Sequence, residues 1–135
     1  MELVIDRHCF VCGPDNEQGL RLTLEHREGH AAATFTPTRT HQGYQGVSHG
    51  GIVAALLDEV MVYAASSGRR LAATAEMTTR FVRPAPVGEA IHLTARVVRE
   101  RRNLVFCEAE ARNAAGELLA SATGKLLRGE VETVL

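Results

Sequence analysis

Hydrophobic and polar positions change their period twice along the chain. Leu20, Leu22 and Leu24 alternate with Arg21, Thr23 and Glu25, the period of two that lays one face of a strand on a core. Glu28, Gly29 and His30 read as a turn into residues 31–35, the hairpin partner. Residues 36–48 hold Pro37, Gly43, Gly46 and several small polar residues, a loop composition. Over residues 52–65 the alternation disappears: twelve of fourteen positions are apolar, none is Gly or Pro, and the two exceptions, Asp58 and Glu59, are adjacent. This predicts a helix of about four turns, apolar nearly all round. It ends near Ser66, Ser67 and Gly68, where Gly can supply a left-handed cap. A bilayer span needs about 20 residues, so the segment reads as a helix buried inside a domain.

After the helix the period of two returns. Ala73, Ala75, Met77, Thr79 and Phe81 alternate with more polar neighbours until Pro84-Ala85-Pro86. Ile91, Leu93, Ala95 and Val97 follow, then a charged bend at residues 99–102, a strand at 104–112, a turn at Asn113-Ala114-Ala115-Gly116 and a strand at 117–127. Long strands joined by short turns predict an antiparallel meander of four. A sheet with one buried helix is an α+β architecture in which the sheet curls around the helix.

The 135 residues make one domain, residues 1–135, by length. Hydrophobic residues are 45% and charged residues 23%, which excludes disorder and a membrane-embedded chain. Two Tyr, four Phe and no Trp leave the core to aliphatic side chains. Fifteen basic against sixteen acidic residues give a net charge of -1, without the basic footprint of a nucleic-acid binder. The first residues lack the charged and apolar regions of a secretory signal, and three Cys fit a reducing compartment; the expected location is cytoplasmic.

Two features could carry chemistry. Asp58 shares its helix face with Ala54, Ala55, Met61 and Val62, so no polar stripe receives it. A carboxylate stripped of water must be paired, hydrogen-bonded or neutral, which makes Asp58 or Glu59 either a functional acid or a structural one. Val47-Ser48-His49-Gly50-Gly51 precedes this helix. The first N–H groups of a helix lack internal partners and sit at its positive end, where they can hold an oxyanion, and glycines let a carbonyl approach. Ser48 alone would be an ordinary cap.

Together these residues resemble the hot-dog-fold acyl-CoA thioesterases, in the phenylacetate-pathway-like and 4-hydroxybenzoyl-CoA-thioesterase-like branch. In that superfamily a His-Gly-Gly opens a central helix lying in a curved antiparallel sheet of five to six strands, and the catalytic acid follows nine residues after the His. His49 plus nine is Asp58. The similarity runs from Leu20 to Leu127, includes Arg80-Phe81-Val82-Arg83-Pro84-Ala85-Pro86-Val87-Gly88-Glu89, and extends to the opening His8-Cys9-Phe10-Val11-Cys12-Gly13-Pro14-Asp15-Asn16.

The resemblance implies that His49 and the Gly50 N–H serve catalysis, the N–H polarising the thioester carbonyl, while Asp58 attacks it or activates water. Gly51, Ala54, Ala55, Met61 and Arg83 then belong to the substrate site, with Glu59 as the alternative acid. Many members carry Asn where this chain has Gly43, and others Ser or Thr where it has Arg83; Gln42 and His41 are the available replacements for the Asn. Eight helical residues separate Gly50 from Asp58 by about 12 Å, too far to serve one carbonyl. The two groups therefore come from different subunits of a homodimer or dimer of dimers.

Cys9 and Cys12 have the C-x-x-C spacing of a zinc half-site or a redox pair; zinc needs two further ligands, Cys107 lies inside a strand and His8 is too close for good geometry, so the metal alternative is a site bridging two subunits. They read as a reduced structural turn, with no metal and no cofactor. Arg99, Arg101 and Arg102 could meet coenzyme A phosphates but fit a solvated turn better. Beside acyl-CoA hydrolysis stand two other readings: an enoyl-thioester hydratase or dehydratase using His41 or His49, and a non-catalytic acyl-CoA binding module.

Overall fold

A computed structural model describes residues 2–67 and 70–133. They form seven strands, β1 (Glu2–Ile5), β2 (Leu24–Arg27), β3 (His30–Phe35), β4 (Arg70–Phe81), β5 (Ile91–Arg101), β6 (Leu104–Arg112) and β7 (Leu118–Thr133), with one α-helix, α1 (Gly50–Ala65), between β3 and β4. Six strands pair antiparallel in the spatial order β4, β7, β6, β5, β3, β2, and β1 adds a short parallel pairing on the end of β7. Helix α1 touches every strand from β2 to β7. This is the hot-dog architecture. No helix of the described residues is long and apolar enough to cross a membrane.

The helix lies where its composition demands. Leu56, Leu57, Val60, Met61, Ala64 and Ala65 are completely buried, against Ile91, Leu93, Val105, Ala111 and Leu126 of the sheet. Small sheet residues let it approach: a Cβ on Gly124 of β7 would stand 3.1 Å from the Met61 sulfur. The core is aliphatic, with Phe35 its one aromatic member among the described residues.

The helix begins two residues earlier than expected, so both glycines lie in its first turn, and Gly68, expected as its cap, falls outside the described residues. Leu20 and Leu22 are buried as their alternation requires, yet lie outside the strand. Their N–H groups bond the carbonyls of Phe10 and Val11 at 2.8 Å, and Arg21 takes a left-handed φ of 50°, which breaks the ladder. Strand β5 continues through the expected bend to a turn at Arg102, whose φ is 58°.

The meander contains three strands rather than four. Strand β4 pairs with β7, Phe81 opposite Ala120 and Arg70 opposite Glu130, and not with β5. The segment after it, with Pro84 and Pro86, crosses to the start of the helix, where Val47 bridges Pro86 and the Ser48 N–H bonds the Ala85 carbonyl at 2.8 Å. Proline cannot supply a ladder N–H, so this crossing cannot extend the strand.

Leu57→Ala should leave a cavity at the seam between helix and sheet and lower the unfolding free energy by about 2–5 kcal/mol. A fall in the urea midpoint with unchanged slope reads this directly, and an unaltered midpoint contradicts it.

Candidate active site

The site is built around the first turn of α1. His49 is the N-cap, with φ −60° and ψ 134°, and its Nδ1 accepts the Gly51 N–H at 2.8 Å. The His49 carbonyl accepts the N–H groups of Ile52 and Val53 at 2.9 and 3.2 Å. The His49 N–H itself bonds the His41 carbonyl at 2.8 Å, so of the four N–H groups without a helical partner, those of residues 49–52, three are taken, and among the described residues the Gly50 N–H has no acceptor. It stands at the positive end of the helix dipole, free to receive negative charge. Because Nδ1 accepts, the neutral His49 ring carries its proton on Nε2.

Gly43 is coupled to this arrangement. A Cβ there would lie 3.3 Å from His49 Cδ2 and 3.4 Å from its Cα, so a side chain at this position displaces the capping ring. The two suggested replacements for an Asn are already engaged: Gln42 Oε1 accepts the Gly46 N–H at 3.2 Å, and His41 Nδ1 accepts the Thr38 N–H at 2.9 Å.

A cleft of about 790 Å³ opens beside the turn, lined by Tyr44, Ser48, His49, Gly50, Phe81 and Arg83 among others. Phe81 lies over Gly50, its ring atoms 3.6 Å from where a Cβ would stand. Arg83 is held at the cleft wall by bonds to the Leu118 carbonyl at 3.2 Å and the Glu117 carboxylate at 3.5 Å. Ser48 is 5% exposed, and its hydroxyl has no hydrogen-bond partner, the one buried side-chain polar atom in that state among the described residues. In the sequence Ser48 has the look of a cap and nothing marks Phe81 or Tyr44 as cleft residues; the burial of Ser48 arises only as residues 81–86 fold over the helix start.

The two acids separate. Asp58 is half-buried beside Ala54, Ala55 and Val62, on a helix stripe that the chain leaves partly open, and its Oδ1 accepts the Thr74 hydroxyl at 2.5 Å. A bulge in β4 between Thr74 and Glu76 sets that threonine in place. Asp58 is absent from the cleft that holds Gly50, as the helical distance requires. The buried acid is Glu59, 8% exposed, so the burial reasoning applied to Asp58 belongs to its neighbour. Glu59 faces Cys9 and Cys12, and burial raises its carboxyl above the usual range. Met61 does not join Ala54 and Ala55, being enclosed against Gly124. Arg99 stacks on Phe106 at 4.1 Å near the β5–β6 turn and is not among the cleft residues.

The thioesterase superfamily profile matches residues 45–120, from the loop before α1 into β7. The chain belongs to the thioesterase superfamily. It is similar to a protein of Archaeoglobus fulgidus that carries a provisional esterase name, 30% identical over 105 residues, 78% of this chain and 68% of that one. It is also similar to human acyl-coenzyme A thioesterase 13, 32% identical over 89 residues, and spans 59% of that relative's length. Among solved structures, the E. coli PaaI protein from the phenylacetic acid degradation operon superposes with a TM-score of 0.78 at 27% identity, covering 84% of each chain.

The His49 cap holds the helix start that carries the uncommitted Gly50 N–H. His49→Ala should lower stability by about 0.5–2 kcal/mol, with His49→Asn recovering most of the loss because its carboxamide oxygen can again cap the turn. Denaturant melts of the three proteins decide it, and equal stability for all three contradicts the capping role.

Proposed function

We propose that this thioesterase hydrolyses an acyl-CoA to the free acid and coenzyme A at a site completed by two copies of the chain. The observation that carries the reading is the unpartnered Gly50 N–H in the cleft, with Asp58 outside it. The thioester carbonyl accepts the Gly50 N–H. Asp58 of the second copy then either takes a proton from water as it adds to the carbonyl carbon, or adds itself. The carbonyl oxygen becomes an oxyanion, held by the backbone donor and helix dipole, and collapses as the carbon–sulfur bond breaks and the CoA thiolate leaves to be protonated; where Asp58 itself has added, water then hydrolyses the mixed anhydride to the free acid and restores the carboxylate.

Several features support this assembly. Among the described residues strand β4 has β7 as its strand partner; Ser67 and Ser66 take the N–H groups of Arg70 and Ala72 on its other edge, and from Ala73 to Phe81 that edge carries no strand, a row suited to a second copy. Ala54 and Ala55 flank Asp58 on the half-open stripe and would face the acyl chain across that interface. Arg83 offers its charge at the cleft wall, and the orphan Ser48 hydroxyl offers a hydrogen bond within it. The name of the human relative supports acyl-CoA as the substrate class. Against a hydratase weigh His41 and His49, each with Nδ1 committed to a backbone N–H.

Gly50→Pro isolates the donor. Proline is tolerated at the first helical position, and the extended backbone of His49 suits a residue before proline. The variant should fold and lose about 10²–10³ in kcat. Asp58→Asn should be comparably inactive. Mixed and reassociated in equal amounts, the two variants should recover about a quarter of the parent rate, since half the dimers carry one intact site. Recovery no greater than the sum of the separate rates refutes the shared site.

Ser48→Ala removes a buried hydroxyl that has no partner, so stability should hold or rise. A fall in kcat/KM of about tenfold or more would mark a bond to substrate, worth about 1.4 kcal/mol; unchanged kinetics with acyl-CoA contradict a substrate role.

A further inference from the structure

The N-terminal loop carries a second cluster of reactive side chains, on the side of α1 that the cleft does not use. Cys9 Sγ, Cys12 Sγ and a Glu59 carboxylate oxygen lie within 4.8 Å of one another. The sequence showed the two thiols as a half-site without further ligands; folding brings Glu59 to them from fifty residues away.

The loop is built rigidly around this point. The Gly13 N–H bonds the Cys9 carbonyl at 2.9 Å, and a Cβ on Gly13 would fall 2.4 Å from the Cys9 nitrogen, so no larger residue fits after Cys12. Buried Val11, Leu20 and Leu22 pin the loop to the core. Both sulfurs already receive hydrogen bonds: Cys9 Sγ accepts the Cys12 N–H at 3.4 Å, and Cys12 Sγ accepts the Tyr63 hydroxyl at 3.3 Å. Such donors stabilise thiolate charge and are the outer partners that metal-bound sulfur requires. Glu59 is buried, and among the described residues no Lys, Arg or His pairs with it.

We infer that Cys9, Cys12 and Glu59 bind one zinc ion, with water in the fourth position. Thiolate and carboxylate donors suit zinc, and bond lengths of about 2.3 Å to sulfur and about 2.1 Å to oxygen place tetrahedral ligand atoms roughly 3.5–3.8 Å apart. The Cys9 Sγ to Glu59 Oε1 distance is 3.6 Å. Cys9 is exposed, which gives the ion a route from solvent. As each bond to sulfur forms, the thiol proton leaves to solvent, so uptake weakens as pH falls. Burial, which raises both the Cys12 thiol and the Glu59 carboxyl, is offset by the dication. The site would tie the N-terminal loop to the middle of α1, one residue from Asp58. It does not depend on the acyl-CoA reading, because neither Gly50 nor Asp58 is a ligand.

The test uses the full chain, kept reduced, stripped with a chelator and titrated separately with Zn²⁺ and Co²⁺. About one equivalent of zinc should bind per chain, and the cobalt form should show sulfur-to-metal charge transfer with the intense ligand-field bands of four-coordination. Cys9→Ser and Cys12→Ser should each weaken zinc binding by more than about 100-fold, and Tyr63→Phe by about tenfold, while Cys107→Ser leaves it unchanged. Uptake below about a tenth of an equivalent, a cobalt spectrum without thiolate bands, or equal affinity in the Cys9→Ser/Cys12→Ser double variant overturns the assignment. The wild-type cobalt spectrum decides the matter even where a variant fails to fold.

Discussion

Keeping an apolar helix dry is the constraint on which the rest of this molecule depends. Leu56, Leu57, Val60 and Met61 leave no solvent-facing stripe of ordinary width, so the sheet has to bend far enough to enclose several sides of α1 at once. Alanines and Gly124 on the inner face of the sheet make that approach possible, because larger side chains would hold the two layers apart. The fixed position of α1 in turn decides what its two ends and its middle can do. Its first turn emerges beneath residues 81–86, which leaves one backbone donor uncommitted at the floor of a cleft.

The adjacent acids show how closely such a helix divides its surroundings. Successive residues point about 100° apart, so a single step in sequence moves a carboxylate from the half-open stripe to the enclosed side. Asp58 meets a threonine and an uncovered face, whereas Glu59 meets two thiols and a tyrosine-buttressed loop. Two groups of nearly identical chemistry acquire different environments because the wall around the helix is uneven. Asp58 stays accessible to a ligand or a second chain; Glu59 is accessible only to what the N-terminal loop admits.

The helix was legible in the sequence because twelve apolar residues in fourteen, without Gly or Pro, leave few alternatives. The strands at 31–35 and 104–112 were legible for a related reason: alternation and turn residues are local signals. Strand pairing was not. Nothing in residues 70–81 says whether β4 joins β5 or β7, since that choice depends on the proline-containing crossing and on which edge remains free. Leu20 and Leu22 carried a genuine burial signal that was satisfied by a loop instead of a ladder. At the site, His49 and Gly50 could be named from their place before an apolar run, and the 12 Å helical separation already excluded Asp58 from the same cleft. The orphaned Ser48 hydroxyl and the meeting of Glu59 with Cys9 and Cys12 could not, because both arise from segments distant in the chain.

Strand β7 pairs with β4, β6 and β1, and it is the last of the described strands to be synthesised. Helix α1 and β4 therefore leave the ribosome well before the strand that seats β4 exists, and α1, with β2 and β3 already made, gains β5 and β6 only as they emerge and lacks β7 until the end. Pairing across such long loops is entropically slow, so closure of the sheet is a late event. The nascent chain must pass through a stage with a sticky, half-wrapped helix, the kind of exposure that chaperones relieve. For this fold, the order of translation sets when the helix becomes dry.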